Sequence, residues 1–197
     1  KAYPQDGVFC IVYTGSIYSG YQDPSPLFEA ISRLKNEGRI TPDRLQVIFY
    51  GNNADMSALA KQFDISEYVQ CGGFLPRQQA LHYQRDADAL LFLEFESKSL
   101  QGILTGKLFE YLFAGPPILA VGVGAGDSSA AVLRKTGRGE SFCNRIDLLL
   151  EKIVILMESK MNDTTPKRRS DAFRHDAEIF EYTRKKQAEN MLRSVLD

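Results

Sequence analysis

The chain has 197 residues, room for one domain that can bury ~70% of its unfolded surface without help from disulfides. Fractions of 44% hydrophobic and 25% charged residues exclude a disordered or collagen-like polymer. Twenty-four basic against 25 acidic residues, a net charge of -1, argue against a generally basic nucleic-acid binder.

In chain order, short β-rich runs alternate with helical stripes. The first run covers residues 8–13, Val-Phe-Cys-Ile-Val-Tyr, and is followed by a turn over 15–26. Leu27, Phe28, Ile31 and Leu34 then recur at helical spacing, and Gly38 with Pro42 ends that helix. A second strand is predicted over 45–50, closed by Gly51-Asn52-Asn53. Met56, Leu59, Ala60 and Phe63 form the next helical stripe. Residues 68–71 form a short third strand running into Gly72-Gly73. Pro76 suits the first turn of a helix to about Arg85. Residues 89–93, Ala-Leu-Leu-Phe-Leu, are apolar throughout, as expected of a central strand covered on both faces. After a loop over 94–106 come a helix over 107–114 and a strand over 118–121. A glycine-rich turn over 122–126 leads to a helix over 129–136 and a short last strand over 140–143. The rest is helical: 146–158, a break at Pro166, then two closing stretches over 166–197. In the second, Ala188, Met191, Leu192 and Val195 share a face and Thr183 is the candidate N-cap.

Strands separated by helices imply right-handed crossovers and a doubly wound parallel sheet of α/β class, Rossmann-like, in a single domain with C-terminal helices. Ligands of such sheets bind outside the carboxyl ends of the strands. The candidate loops are therefore those at residues 14–19, 51–53, 72–75, 94–107 and 122–127. Cys10, Cys71 and Cys143 are odd in number and form no CxxC pair, so a disulfide framework or zinc site is not expected and a reducing cytoplasmic compartment fits best. No apolar run reaches the ~20 residues that span a bilayer. The chain begins at Lys1 with no Met and no signal peptide, and is expected to be a piece of a longer protein.

The segment from Thr105 to Ala120 carries most of the chemistry. A Thr105-Gly106 pair opens a helix whose first N–H groups face the ligand edge, a ready anion site to which Lys107 adds a full positive charge. Glu110, three residues on, can accept two hydroxyl hydrogen bonds from a vicinal diol such as a ribose. The competing reading is a surface Lys–Glu pair at i,i+3 with no ligand.

The wording Lys107-Leu108-Phe109-Glu110-Tyr111-Leu112-Phe113-Ala114-Gly115-Pro116-Pro117 resembles the Lys-Leu-x-Glu-Tyr-Leu-x-x-Gly-x-Pro motif of the GT-B glycosyltransferases, in their large retaining, nucleotide-sugar-dependent family. Tyr13-Thr14-Gly15-Ser16-Ile17-Tyr18 with Asp23-Pro24 resembles the opening loop of that family's donor-binding, carboxyl-terminal half. Gly73-Phe74-Leu75-Pro76 is similar to its base-binding turn, and the stretch from Tyr182 to Leu196 to its closing helix. The resemblance implies that Glu110 binds the ribose, and that Lys107 with the Thr105, Gly106 and Leu108 backbone binds the diphosphate. It implies that the backbone at Phe74 and Leu75 reads the base, and that Gly15 and Ser16 approach the donor phosphates. Lys107 and Glu110 are the residues expected to matter most for transfer. Two positions depart from the family: Gly102 stands where many relatives carry a Glu, and the first glycine loop has no basic pair. Glu94, Glu96 and Lys98 are the candidates to substitute.

Other features are read as structural. Asp86-Ala87-Asp88 has metal-binding spacing but precedes its strand, at the amino edge, and is expected to be a solvated turn. Gly122-Val123-Gly124-Ala125-Gly126 is too late in the chain for a dinucleotide fingerprint. His82 and His175 have no partner ligand nearby. Lys167-Arg168-Arg169 and Arg184-Lys185-Lys186 are read as solvated faces, with weak attachment to anionic lipid as the alternative. The resemblance thus implies the donor-binding half of a glycosyltransferase that uses a nucleoside diphosphate sugar, with no metal or other cofactor and no nucleic-acid partner. An acceptor domain would have to face it, and without one the closing helix should fray or pair with a second copy. A nucleotide-sugar epimerase of the same fold and a non-enzymatic doubly wound binding module remain as alternatives.

Overall fold

The computed structural model describes residues 7–53, 55–94, 105–122, 127–162, 177–183 and 185–186. The strands are β1 (Phe9–Thr14), β2 (Leu45–Tyr50), β3 (Val69–Gly73), β4 (Ala89–Leu93), β5 (Ile118–Val121) and β6 (Gly139–Cys143). The helices are α1 (Ser25–Asn36), α2 (Asp55–Gln62), α3 (Arg77–Asp86), α4 (Gly106–Ala114), α5 (Ser128–Thr136), α6 (Ile146–Asn162) and the short α7 (Ala177–Phe180). A 3-10 turn at Ser66–Tyr68, which carries no apolar period of its own, precedes β3.

All strands run parallel in one sheet of order β3-β2-β1-β4-β5-β6. This is the doubly wound arrangement, with its switch point between β1 and β4. Each residue of β1, β2 and β4 is buried, because successive side chains point to opposite faces and both faces are covered. Phe9, Ile11 and Tyr13 join Val47, Phe49 and Leu91 in the core under α1, α2 and α6, where Phe28, Leu34, Met56 and Ile153 meet them. Val12, Ile48, Leu90 and Phe92 face the other way, onto Leu108, Tyr111 and Leu112 of α4 and Leu133 of α5. Among the described residues no helix is long and apolar enough to cross a membrane.

Two expectations need correction. Pro76 sits at the N-cap of α3, with ψ 146, and not inside its first turn. Asp86-Ala87-Asp88 does lie at the amino edge, but it is not a solvated turn. The Asp88 side chain is 6% exposed and accepts from the Cys10 N–H at 2.9 Å and from Lys160 Nζ at 2.6 Å. Lys160 Nζ also donates to the Val8 carbonyl at 2.6 Å. It reaches them because α6 runs on to Asn162, a turn beyond the expected end. Asp86 pairs with the exposed His82 at 3.2 Å. No group of three or more His, Cys, Asp or Glu placed to hold a metal occurs among the described residues.

Candidate functional site

The site is assembled from loops at the carboxyl edge of β1, β2 and β3 and from the start of α4. Thr14 ends β1, and Gly15 turns away with φ +109, a value that favours glycine. The Gly15 N–H donates to the Tyr50 carbonyl at 2.7 Å. Its own carbonyl accepts from Asn53 Nδ2 at 2.9 Å, and Asn53 Oδ1 accepts the Ile17 N–H at 2.9 Å. One buried amide therefore fixes the backbone on both sides of Ser16. Gly51 lies so close to the Gly15 carbonyl that a Cβ there would collide with it, while the Gly51 N–H donates to Gly73 O at 2.8 Å. The three loops are thus hydrogen-bonded into one rim.

The start of α4 faces that rim. Thr105 occupies the N-cap without a side-chain capping bond, and its Oγ1 is buried with no partner among the described residues. A Cβ built on Gly106 would meet no atom within 4 Å, so the glycine leaves open space at the helix end. Lys107 folds back under the glycine loop. Its Nζ donates to Tyr13 Oη at 2.6 Å, lies 3.9 Å from that ring's centroid, and would be 2.8 Å from a Cβ on Gly15. Burial brings the Lys107 pKa down to about 8, against the opposing pull of the Glu110 carboxylate. Tyr13 keeps its proton, since burial raises its pKa, and donates to the Ser16 carbonyl at 3.1 Å. Beneath, the Thr14 N–H donates to Tyr111 Oη at 3.0 Å and buried Gln84 Nε2 donates to Thr14 Oγ1 at 2.8 Å.

Glu110 does not pair with Lys107. Its side chain, 32% exposed, meets Arg77 Nη1 at 2.9 Å across the gap between α3 and α4. The surface i,i+3 ion pair entertained for the sequence is therefore absent. Leu108, whose backbone is expected among the donor contacts, turns its side chain the other way. Its side chain is fully buried in the core and its N–H returns to the Thr105 carbonyl at 3.1 Å, as an apolar residue at that helical position must.

The third wall is the turn after β3. Gly73 has φ +70, Phe74 is 86% exposed, and Leu75 packs partly against the core. Gly72 is required because a Cβ would run into the Tyr50 ring, which stacks on Tyr83 with centroids 4.7 Å apart. Gly15, Ser16, Asn53, Cys71, Phe74, Leu75, Arg77, Gly106, Lys107 and Glu110 all line one cleft of about 930 Å³. A groove of about 760 Å³ between α3 and α4 adjoins it and shares Arg77, Gln84, Gly106 and Glu110.

No family model and no curated protein matches the sequence. Solved structures do resemble the fold. WaaG, a glycosyltransferase involved in lipopolysaccharide biosynthesis, superposes with a TM-score of 0.58 at 18% identity, over 79% of this chain and 39% of that one. The lipopolysaccharide outer core galactosyltransferase WaaB gives a TM-score of 0.62 at 15% identity, over 99% of this chain and 51% of that one. The pneumococcal O-GlcNAc transferase GtfA, solved with UDP and GlcNAc, gives 0.57 at 14% identity, over 98% of this chain and 36% of that one. The fold is that of a GT-B glycosyltransferase half. The chain spans about half the length, or less, of these enzymes.

Glu96, Lys98, Gly102, residues 123–126, His175, residues 167–169 and Arg184 lie outside the described residues. Thr183 does act as an N-cap, its Oγ1 accepting the Lys186 N–H at 3.2 Å. Four contributors were not assigned roles from sequence: Tyr13, Asn53, Gln84 and Arg77. Only Arg77 left a usable signal, as a cation placed one residue after the base-turn proline.

Proposed function

We propose that the cleft binds a nucleoside diphosphate sugar, and that this domain is the donor half of a glycosyltransferase that moves the sugar to a hydroxyl acceptor in glycan assembly. The observation that carries the reading is the meeting of Lys107 and Glu110, one helical turn apart on α4, with Gly15 and Ser16 and the Phe74–Leu75 turn around one cleft. In this reading the diphosphate lies over residues 15–16 and the N-terminus of α4, where N–H dipoles and the Lys107 ammonium neutralise it. Glu110 accepts two ribose hydroxyls, and the backbone at Phe74 and Leu75 meets the base. As the sugar departs, negative charge grows on the diphosphate, and donors already in place stabilise that change without reorganisation. The kinship of fold with WaaG, WaaB and GtfA supports transfer in glycan biosynthesis.

No divalent metal is invoked, because Lys107 and the helix start supply the positive potential. Calorimetric titration with UDP, GDP and ADP tests the reading: binding should be measurable in chelator and unchanged by added Mn²⁺. Glu110→Gln and Lys107→Ala should each weaken it roughly ten- to a hundredfold, the loss of one charge-assisted hydrogen bond of ~1.5–3 kcal/mol. Unaltered affinities in both variants would remove the assignment.

A further inference from the structure

Arg77 has no part in the donor contacts just described, yet it pairs with Glu110, which does. Arg77 is the first residue of α3, directly after the Pro76 N-cap, so its backbone continues the turn that carries Phe74 and Leu75. Glu110 lies in the second turn of α4. The pair at 2.9 Å, with Arg77 72% exposed, therefore ties the turn at Phe74 and Leu75 to the Glu110 carboxylate. Lys107, on the same helix, feels the Glu110 charge but gives its hydrogen bond to Tyr13, while Arg77 is in direct contact with Glu110.

We infer that Arg77 is a positioning residue that holds the Glu110 carboxylate ready for a ribose diol, so that discrimination of ribose from 2′-deoxyribose depends on it; this rests on the nucleotide reading above. A carboxylate oxygen has two lone pairs. Arg77 Nη1 occupies one on Oε1, which leaves Oε2 and the second lone pair of Oε1 for two hydroxyls. Without the guanidinium the carboxylate rotates freely, and ordering it falls to the ligand. The benefit is confined to ligands that use both oxygens. An exposed pair of this kind contributes little to folding, so a merely structural role would show in stability and not in ligand choice.

The experiment compares affinities for UDP and 2′-deoxy-UDP, GDP and 2′-deoxy-GDP, and ADP and 2′-deoxy-ADP. It uses the unsubstituted protein, Arg77→Ala, Arg77→Lys, Glu110→Gln and the Arg77→Ala/Glu110→Gln double variant. The ratio of ribo to deoxyribo affinity is the readout, so a change in the fraction of folded protein cancels. For the best-bound base, the unsubstituted protein should favour the ribonucleotide ~tenfold or more, the loss expected for one charge-assisted bond. Arg77→Ala should cut that preference to ~threefold or less, leave deoxyribonucleotide affinity within ~twofold, and change nothing further when Glu110→Gln is present. Arg77→Lys should fall between, because a lysine has the charge without the planar fork. An unchanged ratio in Arg77→Ala, or an equal loss for both ligands, overturns the inference while the nucleotide reading stands. No binding of any nucleoside diphosphate by the unsubstituted protein overturns the nucleotide reading, and the inference with it.

Discussion

An ammonium group taken out of water holds its proton less firmly, and for Lys107 burial brings the pKa down to about 8. The proposed diphosphate contact needs the protonated form. As pH rises from 7 through 8 to 9 the ammonium is lost, so affinity for a nucleoside diphosphate should fall over that interval. Bound diphosphate raises the pKa, so binding near pH 8 should take up a proton from buffer. Calorimetry in buffers of different ionisation enthalpy checks both effects, and Lys107→Ala should flatten the pH profile. Its chain neighbour provides the contrast. Leu108 is fully buried, so Leu108→Ala should cost ~2–5 kcal/mol of stability through the lost apolar contacts and the cavity left behind. Denaturant unfolding should show that loss, with nucleotide affinity of the remaining folded protein little altered.

At the level of elements, α6 is fastened just beyond the C-terminal end of its buried stripe. Leu149, Leu150, Ile153 and Met157 lie against the sheet, and one turn later Lys160 bonds Asp88 and the Val8 carbonyl. Lys160→Met should cost ~2–3 kcal/mol, because the largely buried Asp88 carboxylate loses its Lys160 ammonium. A flat urea midpoint in that variant would show that the contact contributes nothing. This lock also shows where reading the sequence stops. The strands at 45–50, 89–93 and 118–121 were legible because a covered parallel strand needs consecutive apolar residues and turn residues bound it. Lys160 and Asp88 are 72 positions apart and leave no periodic trace, so the acidic pair looked like a turn. Glu110 and Lys107 were legible through motif and helix spacing. Their pairing with Arg77 and Tyr13 was not, since the choice between a local i,i+3 pair and two long-range ones is made by packing between α3, α4 and β1.

For the whole molecule, the relevant fact is that a chain spanning 39% of WaaG and 51% of WaaB contains a full doubly wound layer structure with its cleft open at one edge. On the proposed reading, this 197-residue stretch, taken by itself, should bind nucleoside diphosphate yet transfer no sugar. An acceptor hydroxyl must be held within ~3–3.5 Å of the anomeric carbon, and that positioning contributes several kcal/mol. Incubation of the pure chain with donor sugars and a panel of acceptors provides the check. Turnover well above the buffer rate would show that the chain is catalytically complete.

The walls of the cleft hang from strands of very different standing. The Gly15 loop continues β1, which is flanked by β2 and β4 and buried along its length. The Phe74–Leu75 turn continues β3, an edge strand, whose last four residues are exposed. Amide protons of β1 should therefore exchange with deuterated solvent only through global opening, and those of β3 through local fraying that is faster by orders of magnitude. One wall is a fixed anvil and the other a compliant jaw. A ligand that bridges them should slow exchange at Val69–Gly73 far more than at Phe9–Thr14, so occupancy of the cleft could be read by mass spectrometry from the edge strand alone.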